Sequence, residues 1–234
     1  MDTTSIGSNE EELVVCSWCL GVGSLPNGSE CICRKKKRME VYKDYAGFPR
    51  GFNDPSCCWK EYKAGLVGKV KMDGKEISCL LKYVEDIKNR IRSGEGVFIY
   101  GPPTSGKTFV AIALAKLAIG KDFRVKYYSA VEYLDIMRNR IGDDIPYQDL
   151  RYDMEIMDVI IWDRVQDIQH NVEWERSDLA NSIRLRLDKG HADIIVTDQK
   201  PDKFKASFGD SLYNYLVNNC INIHTRVREE KSGD

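Results

Sequence analysis

The chain has 234 residues, 42% hydrophobic and 30% charged, with a net charge of -1. That length and balance fit a globular protein with one main domain and a small extra module, and exclude a fibrous or wholly disordered chain. The longest apolar stretch, near residues 108–115, is far short of a membrane span, and the acidic N-terminus does not read as a secretory signal, so an intracellular protein is expected.

Residues 1–12 are polar and acidic and read as a disordered leader. Residues 13–40 form a small module holding four of the eight cysteines, Cys16, Cys19, Cys31 and Cys33. A C-x2-C pair followed by C-x-C places four thiolates on two short knuckles, the donor set of tetrahedral zinc, and metal binding gives so short a segment a reason to fold. Free thiols or a redox pair are the alternative. Cys57, Cys58, Cys79 and Cys220 lack paired spacing and read as core or boundary residues. The module closes on the basic run Arg34 to Arg38. Residues 41–74 read as a linker with loops packed on a domain, because glycines and prolines punctuate Tyr42, Tyr45, Phe48 and Phe52. With the basic run, these aromatics suit either stacking and gripping nucleic acid or packing against the core. Charge is blocked along the chain: residues 34–92 carry 16 basic and 8 acidic side chains, residues 143–178 carry 3 and 11. Contact with a polyanion and solvated faces explain this equally well.

From residue 75 to the end, strand-like and helix-like patterns alternate, which predicts a parallel sheet covered by helices. A helix is predicted at 77–92, then strands at 97–100, 124–129, 158–162, 192–197 and 220–224. Helices are predicted at 106–119, 131–139, 174–188 and 210–217. The first strand runs into Gly101-Pro102-Pro103-Thr104-Ser105-Gly106-Lys107-Thr108 and an apolar helix follows. This is GxxxxGK[ST] in its strand, loop, helix context, in which backbone N–H groups wrap a phosphate, Lys107 meets the terminal phosphates and Thr108 offers its hydroxyl to magnesium. An apolar strand ending in Asp163 supplies the acid that holds magnesium through water. Arg164 stands where many such sites carry a second, water-polarising carboxylate, with Glu155, Asp158 and Asp167 nearby as substitutes or as surface charges. Thr197 or Gln199 at the end of the next strand can face the terminal phosphate. The three histidines have no ligand-like spacing.

Together these pieces resemble the bacterial and phage helicase loaders of the DnaC/DnaI type and their IstB-like relatives, a branch of the AAA+ ATPases. The resemblance runs through Cys16 to Gly23, Cys31 to Lys37, Tyr45 to Phe52, Gly101 to Thr108, Ile160 to Asp163, Ala192 to Gln199 and Phe208 to Val217. It implies an α/β AAA+ core with a five-stranded parallel sheet, binding ATP or ADP with magnesium, with Lys107, Asp163 and Thr197 as the catalytic set, after the zinc module. It also implies a replicative hexameric helicase and single-stranded DNA as partners, self-assembly through the core, no membrane, and a cytoplasmic location in a bacterium or phage-infected host. The family's late Ser-Arg is Asn214-Tyr215 here, so Arg184 and Arg186 become candidates for a cation reaching a neighbouring subunit or DNA. Weak or partner-stimulated ATP turnover is expected. An IstB-like regulator of transposition and a DNA-binding adaptor with a degenerate nucleotide site are the other functions this resemblance allows.

Overall fold

The computed structural model describes residue 16 and residues 22–52, 72–139, 145–168 and 173–226. The expected leader, Cys19, Cys57 and Cys58 lie outside the described residues. The chain divides into two compact units, Met1–Val41 and Tyr42–Asp234.

In the first unit, a turn closed by hydrogen bonds from Leu25 N to Ser29 O and from Gly28 N to Leu25 O leads back to Cys31, whose N–H donates to Gly23 O at 2.9 Å. Cys31 is buried and immediately precedes helix α1, Ile32–Tyr45. The sequence does not announce this helix: it has no acidic residue in its first turn and begins with the basic run, which the helix dipole opposes. Glu30 pairs with Arg38 across it.

The second unit is built on five parallel strands, β1 (Gly96–Tyr100), β2 (Val125–Ser129), β3 (Val159–Asp163), β4 (Ile194–Thr197) and β5 (Cys220–His224). Their order is β2-β3-β4-β1-β5, so β1 lies between β4 and β5 and pairs Tyr100 with Thr197 and with His224. Every residue of β3 and β4 is buried, the mark of parallel strands covered on both faces. The helices are α2 (Gly74–Glu85), α3 (Ile87–Arg92), α4 (Lys107–Gly120), α5 (Ala130–Arg138), α6 (Ile145–Ile156), α7 (Glu173–Asp188) and α8 (Pro201–Asn219). No helix among the described residues is long and apolar enough to cross a membrane.

All five predicted strands are present, and their ends shift by at most two residues. The single helix expected over 77–92 is two, because Asp86 takes a non-helical conformation and bonds Asn89 at 2.6 Å. The last helix starts nine residues earlier than expected, with Pro201 in its first turn, and is kinked at Gly209 (φ 84°, ψ 158°). Helix α6 went unpredicted because the position facing the core is a carboxylate: Asp153 is 1% exposed and accepts hydrogen bonds from Tyr45 (2.7 Å) and Tyr128 (2.6 Å). The aromatics at 45–52 pack on this unit. Lys126 lies 4.2 Å above the Tyr45 ring, Phe48 is buried, and Ala46 O accepts the Tyr127 N–H at 2.8 Å.

Beneath the sheet's surface, Arg186 and Asp193 form a fully buried pair. Asp193 also accepts from the Trp162 indole (2.9 Å) and Ile160 N (3.0 Å), while the guanidinium donates to the carbonyls of Met154 and Met157. Arg186 is 1% exposed, so it is not available as a cation reaching a neighbouring subunit or DNA, for which it was a candidate. Removing one member of such a pair leaves the other charge buried and unmatched. Asp193→Ala is expected to lower unfolding stability by about 3–5 kcal/mol, read as the shift in urea midpoint, whereas an unchanged midpoint would show the network to be dispensable.

Candidate functional site

At the carboxyl ends of β1, β3 and β4 a cavity of about 300 Å³ opens, lined among others by Thr104, Gly106, Lys107, Thr108, Asp163 and Asp198. The loop from Gly101 to Gly106 is held open by its own backbone. A Cβ on Gly101 would overlap the Thr225 carbonyl oxygen, so only glycine lets the loop leave β1 at this point. Thr104 and Gly106 both have positive φ, and α4 starts at Lys107 with no side chain capping its first turn. In α5 the equivalent N–H is taken by Ser129 at 3.2 Å. The free first turn of α4 faces the cavity as a ready anion site.

The polar side chains are arranged for a phosphate and a divalent cation. Lys107 is 6% exposed, and its ammonium donates to Pro102 O at 2.6 Å and pairs with Asp198 at 2.6 Å. Thr108 donates to Asp163 at 3.0 Å, Tyr127 donates to the same carboxylate at 2.7 Å, and Arg164 N donates at 2.9 Å. Burial, with the Asp163 charge next, pushes the Tyr127 pKa up, so its hydroxyl stays a donor. These groups fit the nucleotide and metal expected from the sequence: Lys107 and the uncapped N–H groups would hold phosphates, and Thr108 with Asp163 would hold magnesium, which when bound neutralises phosphate charge.

The predicted residues divide by role. Thr104, Gly106, Lys107, Thr108 and Asp163 line the cavity. Gly101, Pro102 and Ser105 brace the loop behind it, Ser105 being fully buried and bonded to Pro102 O (2.7 Å) and Thr225 (2.6 Å). Thr197 is likewise fully buried, and its hydroxyl accepts the Gln199 N–H at 3.1 Å. The next residue, Asp198, reaches the lysine instead, held by a bond from its N–H to Gln166. Arg164 lines the cavity in a left-handed conformation, φ 54°, that few non-glycine residues adopt. Asp158 is occupied by Arg124 away from the cavity, and neither Glu155 nor Asp167 lines it. Sequence reasoning missed Asp198, Tyr127, and Phe52 at the cavity's edge.

In the first unit, the Sγ atoms of Cys16, Cys31 and Cys33 lie within 4.8 Å of one another, those of Cys16 and Cys31 at 3.8 Å. Tetrahedral thiolates at the usual zinc–sulfur length of about 2.3 Å stand about 3.8 Å apart. Cys31 immediately precedes α1 and Cys33 lies in its first turn.

Asp198 occupies the cation that a phosphate must take. Asp198→Asn is therefore expected to tighten ADP binding about fivefold, the equivalent of roughly 1 kcal/mol for a partly exposed pair. Titration with a fluorescent ADP measures this, and unchanged or weaker binding would show that the pair does not compete with nucleotide.

The family described as IstB-like ATP binding protein matches residues 68–227. No curated protein matches the sequence significantly. Among solved structures the chain is similar to the DnaC helicase loader, at 15% identity over 66% of this chain and 89% of that one, TM-score 0.55. It is similar to DnaI at 13% identity over 64% and 83%, TM-score 0.54. It is similar to AMPPCP-bound DnaA from Aquifex aeolicus at 19% identity over 73% and 50%, TM-score 0.56, and so spans half the length of that protein. These identities carry likeness of fold, an AAA+ sheet flanked by helices. With the family model matching residues 68–227 and the nucleotide cavity assembled at the ends of β1, β3 and β4, the chain belongs to the IstB-like ATP-binding proteins.

Proposed function

We propose that the protein is an ATP-controlled loader that escorts a replicative ring helicase onto single-stranded DNA. The observation that carries this reading is a nucleotide cavity complete for binding and poor in groups for turnover. Lys107, Thr108 and Asp163 are in place, while Arg164 follows Asp163 and both lining carboxylates are already engaged, Asp163 by Thr108 and Tyr127, Asp198 by Lys107. A loader needs nucleotide state to bias affinity for its partner, which weak or partner-stimulated hydrolysis serves. The fold likeness to DnaC, a helicase loader, and to DnaI supports it. The resemblance to IstB-like proteins equally allows a regulator of transposition. A DNA-binding adaptor with a dead nucleotide site has less support, since the binding residues are intact.

Under this reading the N-terminal unit is a zinc module that meets the helicase. Cys16, Cys31 and Cys33 bring three sulfurs within 4.8 Å of one another, and Cys19, expected as the fourth ligand, lies outside the described residues. Purified protein is expected to carry one zinc per chain by elemental analysis, and Cys31→Ser to lose it. Metal-free protein with an unchanged melting profile would remove the module.

The functional test is capture from host extract with ATP and with ADP. Recovery of a hexameric helicase, lost in Cys16→Ser and altered in Lys107→Ala, is the expected result. Recovery of a transposase moves the assignment to transposition, and DNA without either protein moves it to the adaptor. Vigorous hydrolysis by the protein alone would contradict the switch.

A further inference from the structure

A second concavity, about 410 Å³, lies between α7 and α8 and takes no part in the nucleotide cavity. Its α7 wall carries Arg176 and Arg184, eight residues and so about 12 Å apart along the helix axis, with Asn181 between them. Its α8 wall carries Ser207, Ser211 and the ring of Phe208. Among the described residues, no carboxylate lines it. The nucleotide cavity, by contrast, contains Asp163 and Asp198, and the groove beside α5 contains Glu132 and Asp135. In a chain whose net charge is -1, a concave surface lined by Arg184 and by hydroxyl and amide groups, with no acid among its described residues, selects for an anion.

The aromatic ring narrows the anion's chemistry. Phe208 is half-buried, stacked at 4.7 Å on Phe204, which is fully buried and packs at 5.1 Å on Phe98 of β1. The ring is thus fixed from behind and has a side left at the groove. The kink that follows it is set by Gly209, whose φ and ψ belong to a region essentially reserved for glycine. Guanidinium groups bind phosphate oxygens in pairs of hydrogen bonds, serine and asparagine add further donors, and a fixed aromatic face stacks any base.

We propose that the α7/α8 groove binds single-stranded DNA, with Arg184 on a backbone phosphate and Phe208 against a base. This rests on the loader reading, which requires a strand-binding surface without locating one. The test is fluorescence anisotropy of a labelled oligothymidylate with the full-length protein across a salt series. The expected result is that Arg184→Gln lowers the slope of log affinity against log salt by about 0.7, the share of one phosphate contact on a single strand. Phe208→Leu weakens binding about fivefold or more with the slope unchanged. Ser211→Asp, at an exposed position where no packing is lost, places a negative charge in the groove and weakens binding several-fold. If the wild type binds while Arg184→Gln and Ser211→Asp keep its affinity and slope, the groove is overturned and DNA binding stands elsewhere. Loss confined to neutralisation of Arg34 to Arg38 would locate it at that run. If the wild type binds no oligonucleotide, the groove falls together with the strand-binding part of the loader reading.

Discussion

An ammonium group withdrawn from water costs free energy unless hydrogen-bond acceptors and opposite charge surround it. Lys107 is in that position, and its ammonium meets the Pro102 carbonyl, the Ser105 hydroxyl and the Asp198 carboxylate. Those residues follow β1 and β4, which are neighbours only because the chain passes from β1 to the far edge of the sheet and returns through β3 to β4. With β4 beside β1, Thr197 stands opposite Tyr100 and the next residue falls at the phosphate loop. Sheet order, more than any single loop, therefore determines what faces a bound phosphate.

Tyr127 is the second point where distant segments meet. Its N–H is given to Ala46 and its hydroxyl to Asp163, so one residue of β2 joins the segment before the core to the carboxylate expected to hold magnesium. The same segment is tied down at both ends. Tyr45 donates to Asp153, and Phe52 O accepts from Lys116 at 2.5 Å while its side chain lines the nucleotide cavity. Residues 45–52 lie before the stretch matched by the family, yet Phe52 at their end forms part of the nucleotide site's wall. What reads as a linker is structurally a strap.

The legible parts of this fold are those where one residue type has one physical use. Strands buried on both faces are continuous apolar runs, and the phosphate loop needs glycine and lysine at fixed spacing, so β1 to β5 and Gly101 to Thr108 were readable. The unreadable parts are those in which tertiary contacts reverse a local preference. Helix α1 begins in a run of positive charge, and α6 turns Asp153 inward where periodicity looks for leucine, because two tyrosine hydroxyls and Lys126 stand ready to satisfy it. Arg186 reads as a surface residue and is buried because Asp193, seven positions on, is its partner. Within the site, Thr197 and Asp198 were close enough in sequence that only the path of the backbone decides which meets the lysine. Tyr127 carried no signal, since a tyrosine in a strand is ordinary until its hydroxyl is seen on Asp163.

Among the described residues, the charges facing the nucleotide cavity are two positive, on Lys107 and Arg164, and two negative, on Asp163 and Asp198. Neither carboxylate is idle: each holds a hydrogen bond or ion pair that a nucleotide and its metal must rearrange. Asp198 is bonded through its N–H to Gln166, in the turn just after Asp163, and is followed by the start of α8. Releasing Lys107 from Asp198 therefore acts at the junction of β4, α8 and the turn after β3, all of which meet at the phosphate loop. Binding energy for the phosphates is in this way drawn against contacts that position neighbouring elements, and differential contact of that kind is what lets a ligand shift a conformational equilibrium.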